Sequence, residues 1–128
     1  NREQKVAALS KGLKQLAMEF QLPVIVLSQL NRKSEDRPDK VPQMSDLRES
    51  GSQEQDADVV ILMHREDAYN PESLRAGECD LIVAKNRPGP KATITVAFQG
   101  RFCRFVDMAP DELSQAEQRR SIPLGSVA

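Results

Sequence analysis

Aromatic side chains are scarce in this chain of 128 residues: four Phe, one Tyr and no Trp make up 4%. That argues against a single-strand binder built on base stacking, which needs aromatic platforms. Potential metal ligands are also few. His64 is the only histidine, and the two cysteines, Cys79 and Cys103, form no CxxC pair. No metal site is therefore expected, and both thiols are read as reduced. Long apolar runs are missing as well. Runs such as residues 24–27 and the longest, 59–63, fall far short of the roughly 20 residues that cross a bilayer. No basic stretch leading into an apolar segment opens the chain, so no signal peptide is read. These absences lead to the expectation of a cytoplasmic chain with no membrane partner. The formal net charge is only −1. A broadly basic nucleic-acid surface is excluded, but local contacts, or contacts shared among several copies, remain open. The first residue is Asn1 rather than Met, and the chain is read as a fragment.

Hydrophobic residues make up 39% and charged residues 29%, the range of an ordinary globular protein. Val6, Leu9, Leu13, Leu16, Ala17 and Phe20 recur at spacings of three and four, which predicts an amphipathic helix over Arg2–Phe20. Gly12 inside it costs up to about 1 kcal/mol relative to Ala. Pro23 ends the pattern, and the all-apolar VIVL of residues 24–27 follows. A strand apolar at every position needs cover on both faces, the mark of a parallel sheet flanked by helices. Residues 31–42 read as a polar loop with little to bury. Residues 45–58 are polar with weak helical character, and residues 59–63 are a second fully apolar strand. The rest predicts antiparallel pairing: strands at 79–85 and 91–98 around the stiff turn of residues 86–90 (NRPGP), a second turn at Gln99-Gly100, and a short strand at 102–106. Residues 111–128 carry few apolar side chains and are read as a mobile tail. His64 is expected at the surface. Glu66 and Asp67 are expected to be solvated loop acids, and Phe98, Phe102 and Phe105 to form the hairpin core.

Three segments carry chemistry. The first is SQLNR, residues 28–32, just past the first apolar run. Ligands bind outside the carboxyl ends of strands in open α/β sheets. Gln29, with both a donor and an acceptor, could there sense a phosphate or orient a water; it could equally be the polar entrance to a loop. The second is SDLRESGS, residues 45–52. Arg48 can neutralise a phosphodiester and Gly51 lets the main chain approach it closely; the plain alternative is a solvated helix start capped by Ser45 or Asp46. The third is AKNRPGP, residues 84–90. Residues two apart on a strand share a face, so Lys85 and Arg87 project together from a proline-stiffened edge. Such an arm suits contact with a neighbour's phosphate, although charge that protects a strand edge looks the same.

The order of these segments is more specific than any one of them. SQLNR, SDLRESGSQEQDADVV, AKNRPGP and VAFQGRFCRF together resemble the C-terminal half of the DnaB-type replicative helicase motor, over about residues 5–105. The resemblance implies an α/β fold: part of a RecA-like domain, with parallel strands and helices followed by antiparallel hairpins. It also implies a homo-hexameric ring on single-stranded DNA, with ATP bound between protomers. On that likeness Gln29 matches the residue that couples the ATP γ-phosphate to the DNA-binding loops. Arg48, Glu49 and Gly51 match the loop that contacts the DNA backbone. Lys85 and Arg87 match the cations that reach the neighbour's ATP phosphates, while Asn86 and Pro88 fall at variable positions.

The departure is at the other end. No GxxxxGK[ST] occurs, so the phosphate-cradling loop is absent, and no apolar strand ends in an Asp ahead of the first helix. ATP with its Mg2+ is therefore expected to be held mainly by residues outside this chain, and the chain alone is expected to be inactive. Primase and helicase-loader contacts are likewise assigned to other regions. Residues 1–108 are read as the motor portion and 109–128 as a flexible tail. A related RecA-fold ATPase, such as a recombination or clock ATPase, is the main alternative. A degenerate paralogue acting as a non-enzymatic binding module is the third.

Overall fold

A computed structural model describes residues 1–47 and 51–122. They form two compact units.

The first unit comprises the described residues of Asn1–Val60 together with Ala84–Pro90. Its main element is helix α1, Arg2–Phe20, over the predicted span. The Asn1 side chain accepts the Glu3 N–H (3.1 Å) and so caps the helix start. At the other end Gln21 turns left-handed (φ 50°), and the N–H of Leu22 still reaches the Ala17 carbonyl (3.1 Å) before Pro23 forbids another turn. Residues 24–27 do not form the buried strand that their composition predicts. They join no ladder among the described residues, and Ile25 and Leu27 are 89% and 94% exposed. A strand needs a neighbour to take its N–H and C=O groups and cover for its side chains, and the described residues supply neither.

The polar segment after it is better ordered than its composition promises. Asp46 is 2% exposed and takes both ends of the Arg37 guanidinium, at 3.2 and 2.5 Å. It also accepts the Gln43 N–H (2.7 Å), while Arg37 reaches the Val41 carbonyl (2.5 Å). The Arg37 pair, together with that N–H, holds the Asp46 carboxyl below its ordinary value against the opposing effect of burial. Asp46 thus clamps this loop and, through the Gln43 N–H, also caps the short helical turn Met44–Asp46. Short helix α2, Gly51–Asp56, follows.

The second unit comprises Ile61–Val83 and the described residues from Lys91 onward. Four strands form one sheet in the order β1-β2-β3-β4: Val59–His64, Glu78–Asn86, Ala92–Gln99 and Arg104–Val106. β2 runs antiparallel to β3, with Glu78 opposite Ala97 and Val83 opposite Ala92. β3 runs antiparallel to β4, with Ala97 opposite Val106. The predicted hairpins are therefore present. β1 is covered on one side only: Leu62 and His64 are buried while Val59, Ile61 and Met63 are exposed.

Several expectations are corrected in this unit. His64 is buried, not at the surface, and its ring stacks with Tyr69 at 6.4 Å. Glu66 and Asp67 are not freely solvated: Glu66 accepts the Ser73 hydroxyl (2.7 Å), and Asp67 accepts the Gly77 N–H (3.0 Å) and the Arg65 Nε–H (3.1 Å). Phe98 packs on Phe105 at 4.9 Å beneath the Arg65 guanidinium, but Phe105 and Phe102 remain exposed and do not fill a core. Of the expected tail, residues 110–122 are described, and they are not free. Pro110–Arg120 is helix α3, started by Pro110 and by Glu112 accepting the Ala109 N–H (3.3 Å). It lies on β3 with Ala116 wholly buried, and its Arg119 and Arg120 reach Glu78 and Thr95. Sparse apolar residues concealed this, because polar contacts hold the helix.

Candidate functional site

The three segments singled out in the sequence meet at α2. Ser28, in SQLNR, donates its hydroxyl to the Gln53 side chain on α2 (3.0 Å), and Gln29 is exposed beside it. On the NRPGP arm Lys85 donates to the α2 carbonyls of Glu54 (2.5 Å) and Gln55 (3.3 Å). Arg87 donates to the same Gln55 carbonyl (2.6 Å). The two cations thus point to one side, as their spacing predicts. They also sit at the carbonyl end of a helix, where positive charge is favoured. The arm itself is closed by the Asn86 amide, which donates to the Pro90 carbonyl (2.9 Å).

Two acids at and just past the helix end complete the cluster. Asp56 accepts the hydroxyl of Ser10 on α1 (2.7 Å). Asp58 accepts Lys14 of α1 on one oxygen (2.5 Å) and Arg87 on the other (3.0 Å). Lys14 first, then Arg87, holds the Asp58 carboxyl below its ordinary value. Sequence reasoning missed Asp58 and Lys14. They lie 44 residues apart, and Asp58 and Arg87 lie 29 apart, so no local pattern links them.

Arg48 and Glu49 of the proposed DNA loop lie outside the described residues. Gly51, the first residue of α2, is exposed, and a Cβ there would meet nothing within 4 Å. Packing does not demand a glycine at this position. A groove of mixed charge is lined by Lys33 and Arg37, by Asp46 and Glu54, and by Met44, Ser45, Leu47 and Gly51. Among the described residues no three His, Cys, Asp or Glu side chains are grouped to hold a metal ion, and no helix is long and apolar enough to cross a membrane.

A half-buried Lys85 and an exposed Arg87 thus meet the carbonyl end of a short helix on an α/β scaffold. Solved structures share this scaffold. The chain superposes on one solved ATPase domain with a TM-score of 0.81 at 42% identity, covering 85% of this chain and 38% of that one. A DnaB-like replicative helicase, described with its interactions with primase, gives 0.82 at 42% identity, covering 85% and 26%. The fold is thus α/β and RecA-like, as the sequence implies.

The DnaB-like helicase C-terminal domain family matches residues 1–107, and the chain belongs to that family. Replicative DNA helicase DnaB of Leifsonia xyli subsp. xyli is 64% identical over 110 residues, covering 86% of this chain and 24% of that protein. The Geobacillus stearothermophilus protein of the same name is 49% identical over 108 residues, covering 84% and 24%. The chain therefore spans about a quarter of the length of these relatives.

Proposed function

We propose that this chain is the responding part of an ATP-driven replicative DNA helicase, which translocates on single-stranded DNA and unwinds the duplex at the fork. The observation that carries this is the convergence on α2. Helix α2, which begins at the glycine of LRESG, takes a hydrogen bond from the SQLNR segment and others from the Lys85–Arg87 arm. A shift of the loop on DNA would move the groups that read phosphate, which is what coupling hydrolysis to translocation requires.

In this reading Gln29 senses the γ-phosphate, and Arg48, Glu49 and Gly51 contact the DNA backbone. Lys85 and Arg87 stabilise negative charge on the ATP phosphates of a neighbouring protomer in a homo-hexamer. ATP is the substrate; its phosphate cradle and Mg2+ ligands come from residues outside this chain. Residues 1–108 form the motor portion, followed by a short appended segment. Primase and a helicase loader bind through other regions, and the assembly works in the cytoplasm. Six protomers sharing one strand would explain why a chain of net charge −1 can serve DNA.

Two variants of the full-length helicase test the coupling. Arg48→Ala is expected to weaken single-stranded DNA binding about equally for all sequences and to lower the slope of log affinity against log salt by about 1. A loss confined to particular bases would assign Arg48 to base readout instead. Gln29→Ala is expected to keep ATP binding near the parent level while DNA no longer stimulates hydrolysis. If DNA stimulates that variant as strongly as the parent, Gln29 is not the sensor.

A further inference from the structure

We infer that Asp58 is a positioning residue for Arg87, holding its guanidinium where it can meet a phosphate, with Lys14 steadying the carboxylate from the other side. The inference rests on the reading of Arg87 as a cation that acts on a neighbour's ATP.

Asp58 grips Arg87 twice. Its main-chain carbonyl accepts the Arg87 N–H (2.9 Å), and its Oδ1 accepts the Arg87 Nη1–H (3.0 Å). The Gln55 carbonyl takes Nη2 (2.6 Å). Arg87 follows the last residue of β2 with its side chain half exposed. Without these ties a side chain with so many rotatable bonds would wander. Held in this way, it meets a phosphate with its entropy already reduced, which is the gain of a preorganised donor. A guanidinium has more N–H donors than these two bonds use, so a phosphate oxygen can bind without the first partner leaving.

Charge points the same way. Three cations, Lys14, Lys85 and Arg87, gather around the end of α2, facing Asp58 and the Ser10-bound Asp56. Lys14 draws on the same carboxylate, so Asp58 is shared between two cations and does not neutralise Arg87 alone. Nor is stability the reason for the contact. Exposed ion pairs contribute little to folding, and here the Asp58 side chain is 56% exposed. Its value lies in where it places Arg87.

The test uses the full-length ring, with ATP hydrolysis measured on single-stranded DNA. Asp58→Asn is expected to lower kcat roughly ten- to a hundred-fold, with the KM for ATP and the DNA affinity within about two-fold of the parent. Asp58→Glu should restore part of the loss. Lys14→Gln, which leaves Asp58 in place but unsteadied, should lower kcat less and in the same direction; it also serves if Asp58→Asn fails to assemble. Arg87→Ala is the control. If it is inactive while Asp58→Asn and Lys14→Gln keep the parent kcat, the positioning role is overturned and the role of Arg87 stands. If Arg87→Ala is as active as the parent, the reading beneath the inference falls. Two further results overturn the inference: a raised rate without DNA, meaning that Asp58 restrains Arg87, and a kcat loss that follows lowered melting temperature or ring assembly, meaning that its role is structural.

Discussion

Arg87→Ala in the full-length helicase is expected to lower ATP hydrolysis by roughly 10³ to 10⁵, the range of trans-acting arginines in phosphoryl transfer. ATP should still bind, because the residues that cradle it lie outside this chain. Arg87→Lys should rescue poorly, since an ammonium offers one compact charge where the guanidinium offers a planar fork. In this chain that fork already bridges Asp58 and the Gln55 carbonyl, a geometry a lysine cannot copy. Rings mixed from Arg87→Ala subunits and subunits lacking the P-loop Lys give the decisive measurement. Some interfaces in such rings join an intact loop to an intact Arg87. Recovered hydrolysis that neither variant shows alone places Arg87 in trans. No recovery across a range of mixing ratios places it in its own protomer's chemistry or in structure.

Arg75→Ala is expected to destabilise the domain by about 3–5 kcal/mol, the usual cost of stranding a buried charge. Arg75 is 8% exposed and grips Asp80 with both Nη atoms (2.9 and 2.7 Å) and Glu78 through Nε (2.9 Å). Thr95 adds its hydroxyl to Asp80 (2.8 Å), Arg119 of α3 closes on Glu78, and Arg120 donates to Thr95 (3.1 Å). Removing Arg75 leaves Asp80 buried with only a hydroxyl donor. Urea unfolding of the parent and variant at neutral pH measures the difference, and a change below about 1 kcal/mol would mean that the network is dispensable.

The same network sets a pH dependence. Burial pushes the Asp80 carboxyl up, but the Arg75 and Thr95 hydrogen bonds outweigh it and leave the group below its ordinary value. A carboxyl depressed in the folded state contributes stability that is present above its unfolded pKa, about 3.9. That stability is lost as pH falls through the lower folded value. The gap between parent and Arg75→Ala should therefore narrow in acid below about pH 4. A gap that stays constant from neutral pH down would show that Arg75 acts through packing alone.

Much of the candidate site is legible in the sequence. Spacing put Lys85 and Arg87 on one side of a stiff arm, and both do reach the same carbonyl. Periodicity placed α1, and turn residues placed the hairpins. Legibility stopped wherever partners were distant or compensation was polar. Arg37 and Asp46 looked like two more charges in a hydrophilic loop until their pairing buried one of them. The burial of His64 has no local signal, because polarity at a strand end says nothing about what lies over it. Helix α3 leaves little apolar signal because its anchors are arginines rather than leucines.

The sequence by itself therefore determined the family, the α/β class and the pairing of Lys85 with Arg87 on one side of a stiff arm. These depend on short-range order: motif spacing, the two-residue period of strands and the chain's own turn chemistry. Only the tertiary structure decided that SQLNR, α2 and the NRPGP arm meet, that Asp58 joins Lys14 to Arg87, and that a buried network of charges fastens α3 to the sheet. Only it showed that residues 24–27 find no partner strand among the described residues. The reason is physical. A helix or turn is closed by neighbours a few residues away, whereas ion pairs across dozens of residues, and the cover on an apolar strand, depend on where the chain returns in space.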